Sequence, residues 1–323
     1  MIIFNGSELA TKREKLLKER IFKEFPNKKL KIAAILFVED VGSKLYTNLK
    51  YEAATRVGIE YETHEFSLKN ISESKEGTLG YNKVVAKIKE LNKDSSVTGV
   101  IIQKPWRKTW IKAQGVVQKK FALEGTSERE QYTSWWTGLT SEISEKKDVD
   151  GLHPNTIAQI KAGTWQENKK VLPATCRAVL SILDRAGELK AFSDKKIIII
   201  GKSDLLGVPL YYELLRRSGE LKTEEDKQSL SVELIASKEF KKRMLDGRKL
   251  LDAGVIVSAT GIKGLITGDI IAENSVVIDV GEPAADVDFE SVASKVAFIT
   301  PVPGGVGPMT VISLLENCAD LAQ

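Results

Sequence analysis

Short, almost wholly apolar runs recur along this chain with helix-length polar stretches between them, and no other feature narrows its fold as far. In the first half, Lys31-Ile-Ala-Ala-Ile-Leu-Phe-Val38 and Val97-Thr-Gly-Val-Ile-Ile-Gln103 read as strands buried on both faces. Ile59 to Phe66 alternates apolar with polar residues, the pattern of a strand near a sheet edge. Helical patterns lie between them at 11–24, 43–57 (stopping at Gly58) and 81–91. The second half repeats the scheme, with apolar runs at Lys196–Gly201, Ser231–Ala236, Ala253–Ser258, Ser275–Val280 and Val296–Ile299. Helices are expected at 207–217 and from Met309 to Ala322. Strands that alternate with helices in this way build parallel α/β sheets.

The 323 residues are about twice the ~150 of a typical domain, so two domains are expected. Only two histidines (His64, His153) and two cysteines (Cys176, Cys318) are present, which excludes a Cys/His zinc site and a disulfide scaffold. Any enzymatic chemistry must then run on Lys, Tyr, Asp, Gln, backbone amides or a cofactor. The charge of +4 comes from 48 basic and 44 acidic residues. The short basic runs, Lys119-Lys120 and Lys241-Lys242-Arg243, suit solvated helix faces and give no nucleic-acid footprint. No apolar stretch approaches the ~18 residues of a membrane span, and the amino terminus lacks the pattern of a secretory signal. A cytoplasmic protein with reduced thiols is the expectation. Residues 104–147 hold Trp106, Trp110, Trp135 and Trp136 without a strand pattern, and some helix carrying aromatic anchors is expected there.

Directly after the first strand of the second half comes Gly201-Lys-Ser-Asp-Leu-Leu-Gly207-Val-Pro209. A glycine permits the tight turn, and the helix that follows offers free N–H groups to a phosphate. The spacing departs from G-x-G-x-x-G, and Lys202 is placed to add positive charge. The next strand ends at Ala236-Ser237-Lys238, where a dinucleotide fold meets the adenosine ribose. Ser and Lys there suit the 2′-phosphate of NADP better than the free hydroxyl of NAD.

In the first half, Tyr46 and Lys50 lie four residues apart and share one face of a helix. A phenol ring beside an ammonium can stack on a planar ligand and place a proton-transfer group near it. On spacing alone, a core-edge tyrosine with a snorkelling lysine is the commoner arrangement. Gln103 closes a strand at the end where open α/β sheets bind ligands. Lys147-Asp148-Val-Asp150-Gly151 reads as turn chemistry, or as a carboxylate for a ligand bearing N–H donors. Thr300-Pro-Val-Pro303-Gly304-Gly305-Val-Gly-Pro-Met-Thr310 is dense enough in Pro and Gly to fix backbone angles and let main chain approach a ligand.

Taken in order, these motifs resemble the bifunctional methylenetetrahydrofolate dehydrogenase/methenyltetrahydrofolate cyclohydrolases of the FolD family. The resemblance spans residues 46 to 310. It implies two doubly wound α/β domains with a cleft between them, the second a Rossmann-like NAD(P)-binding domain. The expected folate-binding catalytic domain takes 1–155 plus 302–323, and the cofactor domain takes 156–301. It also implies NADP as cofactor (NAD being possible), a folate substrate, and a homodimer formed through the cofactor domains. By resemblance, Lys50 serves the cyclohydrolase step, with its pKa lowered beside a cationic ligand, and Gln103 tunes it. Tyr46 would stack on the folate, Asp150 would hold the pterin edge, and Pro303, Gly304 and Gly305 would line the substrate. Gly201, Lys202, Ser203, Gly207, Pro209, Ser237, Thr260 and Gly261 would bind the cofactor.

The chain departs from the family pattern in places. The usual Leu-Pro-Leu-Pro after the glutamine reads Lys104-Pro105-Trp106-Arg107, and Pro-Cys-Thr-Pro reads Pro173-Ala174-Thr175-Cys176. Lys202 replaces an arginine, a point charge in place of a bidentate fork. Retention of Lys50 favours the bifunctional enzyme over two alternatives, a dehydrogenase-only relative and a catalytically silent nucleotide-responsive binding protein.

Overall fold

The computed structural model describes residues 1–69, 79–114, 127–187, 196–220 and 231–323. These divide into two compact units. The N-terminal unit comprises Glu14–Ala158, Glu167–Val171 and Leu314–Gln323; the C-terminal unit comprises Met1–Arg13, Gln159–Gln166 and Leu172–Ser313.

The chain opens with a two-residue strand, β1 (Ile2–Ile3), and helix α1 (Gly6–Glu24). It continues through β2 (Lys31–Phe37), α2 (Val41–Val57), β3 (Glu60–Phe66), α3 (Leu79–Lys93) and β4 (Gly99–Ile102). In the N-terminal unit these strands form a parallel sheet of three in the order β3-β2-β4. β2 is central and β2 and β4 are almost wholly buried, so their apolar runs had no polar face to show. β3 lies at the edge, which explains its alternation. Helix α2 ends where Gly58 adopts a left-handed φ of 86° and its N–H caps the last carbonyls.

Two helices follow in the tryptophan-rich stretch, α4 (Arg107–Gln114) and α5 (Glu128–Ser141). Residues 115–126, with the Lys119-Lys120 run, lie outside the described residues. Ser127 and Glu130 form a capping box that starts α5. The tryptophans are mainly structural: Trp135 packs on Phe37 of β2 at 5.4 Å and on Trp110 at 5.7 Å between ring centroids. Trp106 is the exception, 37% exposed and lying against Gly42.

After α6 (Pro154–Ala162) and α7 (Ala174–Gly187) comes the C-terminal unit's main run of elements. It contains β5 (Lys196–Ile200), α8 (Gly207–Glu220), β6 (Val232–Ile235), α9 (Ser237–Leu245), β7 (Ala253–Ser258) and β8 (Val276–Asp279). A short α10 (Phe289–Ala293), β9 (Phe298–Ile299) and α11 (Val306–Leu321) complete the chain. The six strands are parallel in the order β1-β9-β8-β7-β5-β6. β1 was not expected: Ile2 pairs with Phe298, and Phe4 stacks near the same ring at 5.6 Å. A core of isoleucine and valine from these strands packs around Phe240 of α9.

The carboxyl-terminal end of α11 belongs to the N-terminal unit. There Asp320 bonds Arg20 at 2.7 Å, and Asn317 Nδ2 donates to the Val149 carbonyl at 3.0 Å. Among the described residues no helix is long and apolar enough to cross a membrane.

Candidate active site

In the N-terminal unit, Ser43, Thr47, Lys50, Ala54 and Val57 form the buried stripe of α2. A lysine on such a stripe needs a partner, because an ammonium withdrawn from water loses its hydration. Its Nζ donates to Gln103 Oε1 at 2.9 Å, and Lys50 and Gln103 are only 8% and 5% exposed. Gln103 sits one residue beyond β4, fixed by its N–H bond to the Ile35 carbonyl. Its Nε2 donates in turn to the Tyr61 hydroxyl at 3.3 Å. Burial holds the Tyr61 phenol protonated well above its ordinary range, and the negative charge of Asp150 adds to that effect. Lys50, Gln103 and Tyr61 thus form a chain of buried polar groups within electrostatic reach of Asp150. Tyr46 is half-buried one turn before Lys50 on the same helix.

Tyr61 was absent from the sequence reading; the alternation of β3 showed which face it occupies and not how far its hydroxyl reaches. Asp148 and Asp150 part company. Asp148 is 2% exposed and accepts from the Leu152 and His153 N–H groups and from Thr156 Oγ1, at 2.9–3.0 Å. It serves as the anchor of the turn into α6. Asp150 is half-buried, and its charge reaches the Tyr61 phenol. Asp40, also buried, accepts from Ser43 at 2.5 Å and Thr109 at 3.2 Å, tying the start of α2 to α4.

In the C-terminal unit, Gly201 has a φ of 121°, a conformation that favours glycine. A Cβ on Gly207 would meet the Gly201 carbonyl oxygen at 1.7 Å, so both ends of the β5–α8 turn exclude side chains. The turn therefore leads bare backbone into the first turn of α8, a cradle that fits a dinucleotide phosphate. Ser203 is half-buried and its carbonyl accepts from the Val208 N–H; Pro209 is buried in that first turn, where no intrahelical donor is lost.

Thr260 and Gly261 follow β7, on the opposite side of β5 from β6. Asp286 holds this segment: it accepts from Ser258 Oγ, the Thr260 N–H and hydroxyl, and the Ile262 N–H, at 2.7–2.9 Å. A Cβ on Gly261 would strike the Glu282 carbonyl at 2.4 Å. Asp279 accepts three backbone N–H bonds from the same loop, and burial, aided by the Asp286 charge, pushes its pKa up to about 6. Pro303, Gly304 and Gly305 also belong to the C-terminal unit. Gly304 has a φ of 98°, Pro303 follows a cis peptide bond, and the Gly305 carbonyl lies 1.8 Å from where a Cβ on Gly6 would stand.

Lys202 is exposed and Ser237 half-buried. The Lys202 Nζ is paired with Glu239, a partner that the sequence reading did not contain, at 2.9 Å. The two thiols take no part in this chemistry: both are fully buried, and burial pushes Cys318 up to about 12 and Cys176 up as well.

A parallel sheet in which β5 ends in a glycine-lined turn, with a separate α/β unit carrying a buried lysine, fits a nicotinamide-dinucleotide-dependent α/β enzyme class. Comparison with known proteins narrows the class to one family. Residues 4–119 match the catalytic domain of tetrahydrofolate dehydrogenase/cyclohydrolase, and residues 173–323 match its NAD(P)-binding domain. The chain is 32% identical to the bifunctional protein FolD of Mesoplasma florum, over 98% of this chain and 96% of that one. It is 31% identical to that of Bacillus cytotoxicus, over 100% and 96%. The crystal structure of the bifunctional FolD enzyme of Campylobacter jejuni superposes with a TM-score of 0.73 at 28% identity, covering 100% of this chain and 98% of that one. The chain belongs to the tetrahydrofolate dehydrogenase/cyclohydrolase family, and its C-terminal part is the family's NAD(P)-binding domain.

Proposed function

We propose that this chain oxidises 5,10-methylenetetrahydrofolate to the 5,10-methenyl cation with NADP+, NAD+ being also accepted, and hydrolyses the cation to 10-formyltetrahydrofolate. The observation that carries this reading is the buried Lys50 amine on Gln103 at 2.9 Å, in a unit matching the family's catalytic domain. The nicotinamide, when bound, supplies the hydride acceptor, and the protein supplies orientation and electrostatics.

In the hydrolytic step a water oxygen bonds to the cationic amidine carbon. Lys50, as the free amine, accepts one proton from that water and returns it to the ring nitrogen as the carbon–nitrogen bond breaks, and the remaining hydroxyl proton is released to solvent as the formyl C=O forms. Gln103, fixed by β4, holds the Lys50 amine toward the ligand. Tyr46 stacks on the folate ring system, Asp150 accepts from the pterin N–H edge, and main chain at Pro303, Gly304 and Gly305 lines the substrate. Gly201, Ser203, Gly207, Pro209, Thr260 and Gly261 receive the cofactor's phosphates and nicotinamide half. Lys202 and Ser237 favour the 2′-phosphate. On the same reading, residues 1–155 plus 302–323 act as the folate domain and 156–301 as the cofactor domain, in a cytoplasmic homodimer formed through the latter.

The test is an assay with methylenetetrahydrofolate and either coenzyme, following reduced nicotinamide and the methenyl chromophore. Neither signal with either coenzyme refutes the activity. Lys50→Met should abolish hydrolysis of added methenyltetrahydrofolate in a folded protein; unchanged hydrolysis refutes the role of Lys50.

A further inference from the structure

We propose that Glu239 sets coenzyme discrimination: its carboxylate, fixed at the carboxyl end of β6, engages Lys202, opposes a 2′-phosphate and offers an acceptor to a free 2′-hydroxyl. The proposal rests on the assignment of the C-terminal unit as an NAD(P)-binding domain. In such a sheet the end of the second strand meets the adenosine ribose, where an acid selects NAD and cations or hydroxyls select NADP.

By position in the sequence no acid stands there, since β6 gives way to Ala236, Ser237 and Lys238. The fold brings one back. Glu239 is the third residue of α9, and its Oε2 accepts from the Ala236 N–H at 2.7 Å. That bond returns the carboxylate to the strand end and tethers it to backbone. The same carboxylate takes the Lys202 ammonium at 2.9 Å through Oε2 and 3.3 Å through Oε1. Lys202 is the cation of the β5–α8 turn, so the charge best placed for a 2′-phosphate is already opposed.

Both side chains are substantially exposed, 39% for Lys202 and 57% for Glu239, so the ion pair itself adds little to stability. The consequence lies in where the negative charge is held. A phosphate dianion entering beside it must share Lys202 with a carboxylate held by the Ala236 N–H, whereas a ribose hydroxyl can donate to it. The chain then binds NADP+ through Lys202 and Ser237 with a preference that Glu239 blunts, and NAD+ remains a usable coenzyme.

The test separates the 2′-phosphate from the rest of the reaction. Dissociation constants of 2′,5′-ADP and 5′-AMP are measured by calorimetry on the full chain and on Glu239→Gln. Glutamine also accepts in a capping box, so α9 keeps its start. The variant should tighten 2′,5′-ADP by about tenfold, as expected from removing one charge several ångströms from the phosphate, and leave 5′-AMP no tighter, since its 2′-hydroxyl keeps only a neutral acceptor. Lys202→Met should then cost more 2′,5′-ADP affinity in the Glu239→Gln background than in the parent. A ratio of the two affinities that stays within about twofold on Glu239→Gln overturns the proposal alone. Failure of the parent chain to bind either nucleotide overturns the cofactor assignment and the proposal with it.

Discussion

Replacing Gln103 by leucine tests whether the buried lysine is positioned for chemistry or is only tolerated in the core. The substitution keeps the volume near β4 and removes the oxygen that lies 2.9 Å from Lys50 Nζ. A hydrogen bond to a charged group contributes about 1.5–3 kcal/mol. If that contribution is made in the transition state, where the amine is taking a proton from water, the hydrolysis rate falls by about 10- to 150-fold at ~1.4 kcal/mol per decade. The Tyr61 hydroxyl loses its donor at 3.3 Å as well, so the fold should lose about 1–3 kcal/mol.

The assay is the decay of the methenyl chromophore at saturating substrate across a range of pH, with the urea midpoint as a control on folding. A buried ammonium deprived of an acceptor gives up its proton more readily, so the acid limb of the profile should move to lower pH. Gln103→Glu, which sets a carboxylate beside the ammonium, should move it to higher pH. A folded Gln103→Leu protein with the parent rate and an unmoved profile would refute the positioning role. A loss of stability alone would assign Gln103 to the core.

Gly207→Ala forces a Cβ to within 1.7 Å of the Gly201 carbonyl, so the β5–α8 turn must open; 5′-AMP binding by calorimetry should be lost and the thermal midpoint should drop. Asp148→Ala removes three accepted hydrogen bonds at the turn into α6 and should cost about 2–4 kcal/mol in urea unfolding, a cost unchanged by coenzyme concentration if Asp148 has no ligand role. Asp279 should titrate near pH 6 in a carboxyl-carbon NMR experiment. The folded chain then holds this proton more tightly than the unfolded chain, whose value is 3.8, so the associated stability is complete below about pH 4 and is lost as pH rises through 6. About two pH units correspond to about 3 kcal/mol, and a carboxyl resonance that titrates near 4 would contradict it.

How much of this was legible in the sequence depends on what each residue answers to. β2, β4, β5, β7 and β8 were visible because burial on both faces demands nearly uninterrupted apolar residues. β1 was invisible because two residues carry no period, and Ile2 and Ile3 form a strand only because β9 offers an unpaired edge. Spacing alone left Lys50 and Gln103 separate and only the resemblance paired them; the contact follows from β4 lying beside β2, which no local spacing encodes. The missed groups share one cause. Tyr61, Glu239 and Asp286 act at a distance from their own backbone position, through a long side chain, a helix cap and a loop that folds back. Of these, only Glu239 left a local signal, the acid three residues after Ala236 that a capping box uses.

The same topological device serves both units, and it explains why the scarcity of histidine costs this chain so little. In the order β3-β2-β4 the first strand in sequence is central, with the second on one side and the third on the other; β6-β5-β7 repeats the arrangement. Connections from a central strand to opposite neighbours diverge, leaving a crevice at the carboxyl ends of the first and third strands. What stands at such ends is set by strand termini and the first turns of helices. In one unit these are Asp40 after β2 and Gln103 after β4; in the other, the Gly201 turn after β5 and Thr260 after β7. Backbone N–H groups, a side-chain amide and a lysine reaching in from α2 supply donors and one titratable amine without a metal-ligating or imidazole cluster. Specificity is then carried by acids held in fixed places. Asp148 and Asp150, two residues apart, differ in this way: Asp148 is fixed by the Leu152 and His153 N–H groups and the Thr156 hydroxyl, and the half-buried Asp150, whose charge reaches Tyr61, is the acid proposed for the pterin edge. Glu239 extends the pattern to the end of β6, on the other side of β5, where a carboxylate returned by a helix cap opposes the lysine that a phosphate would need.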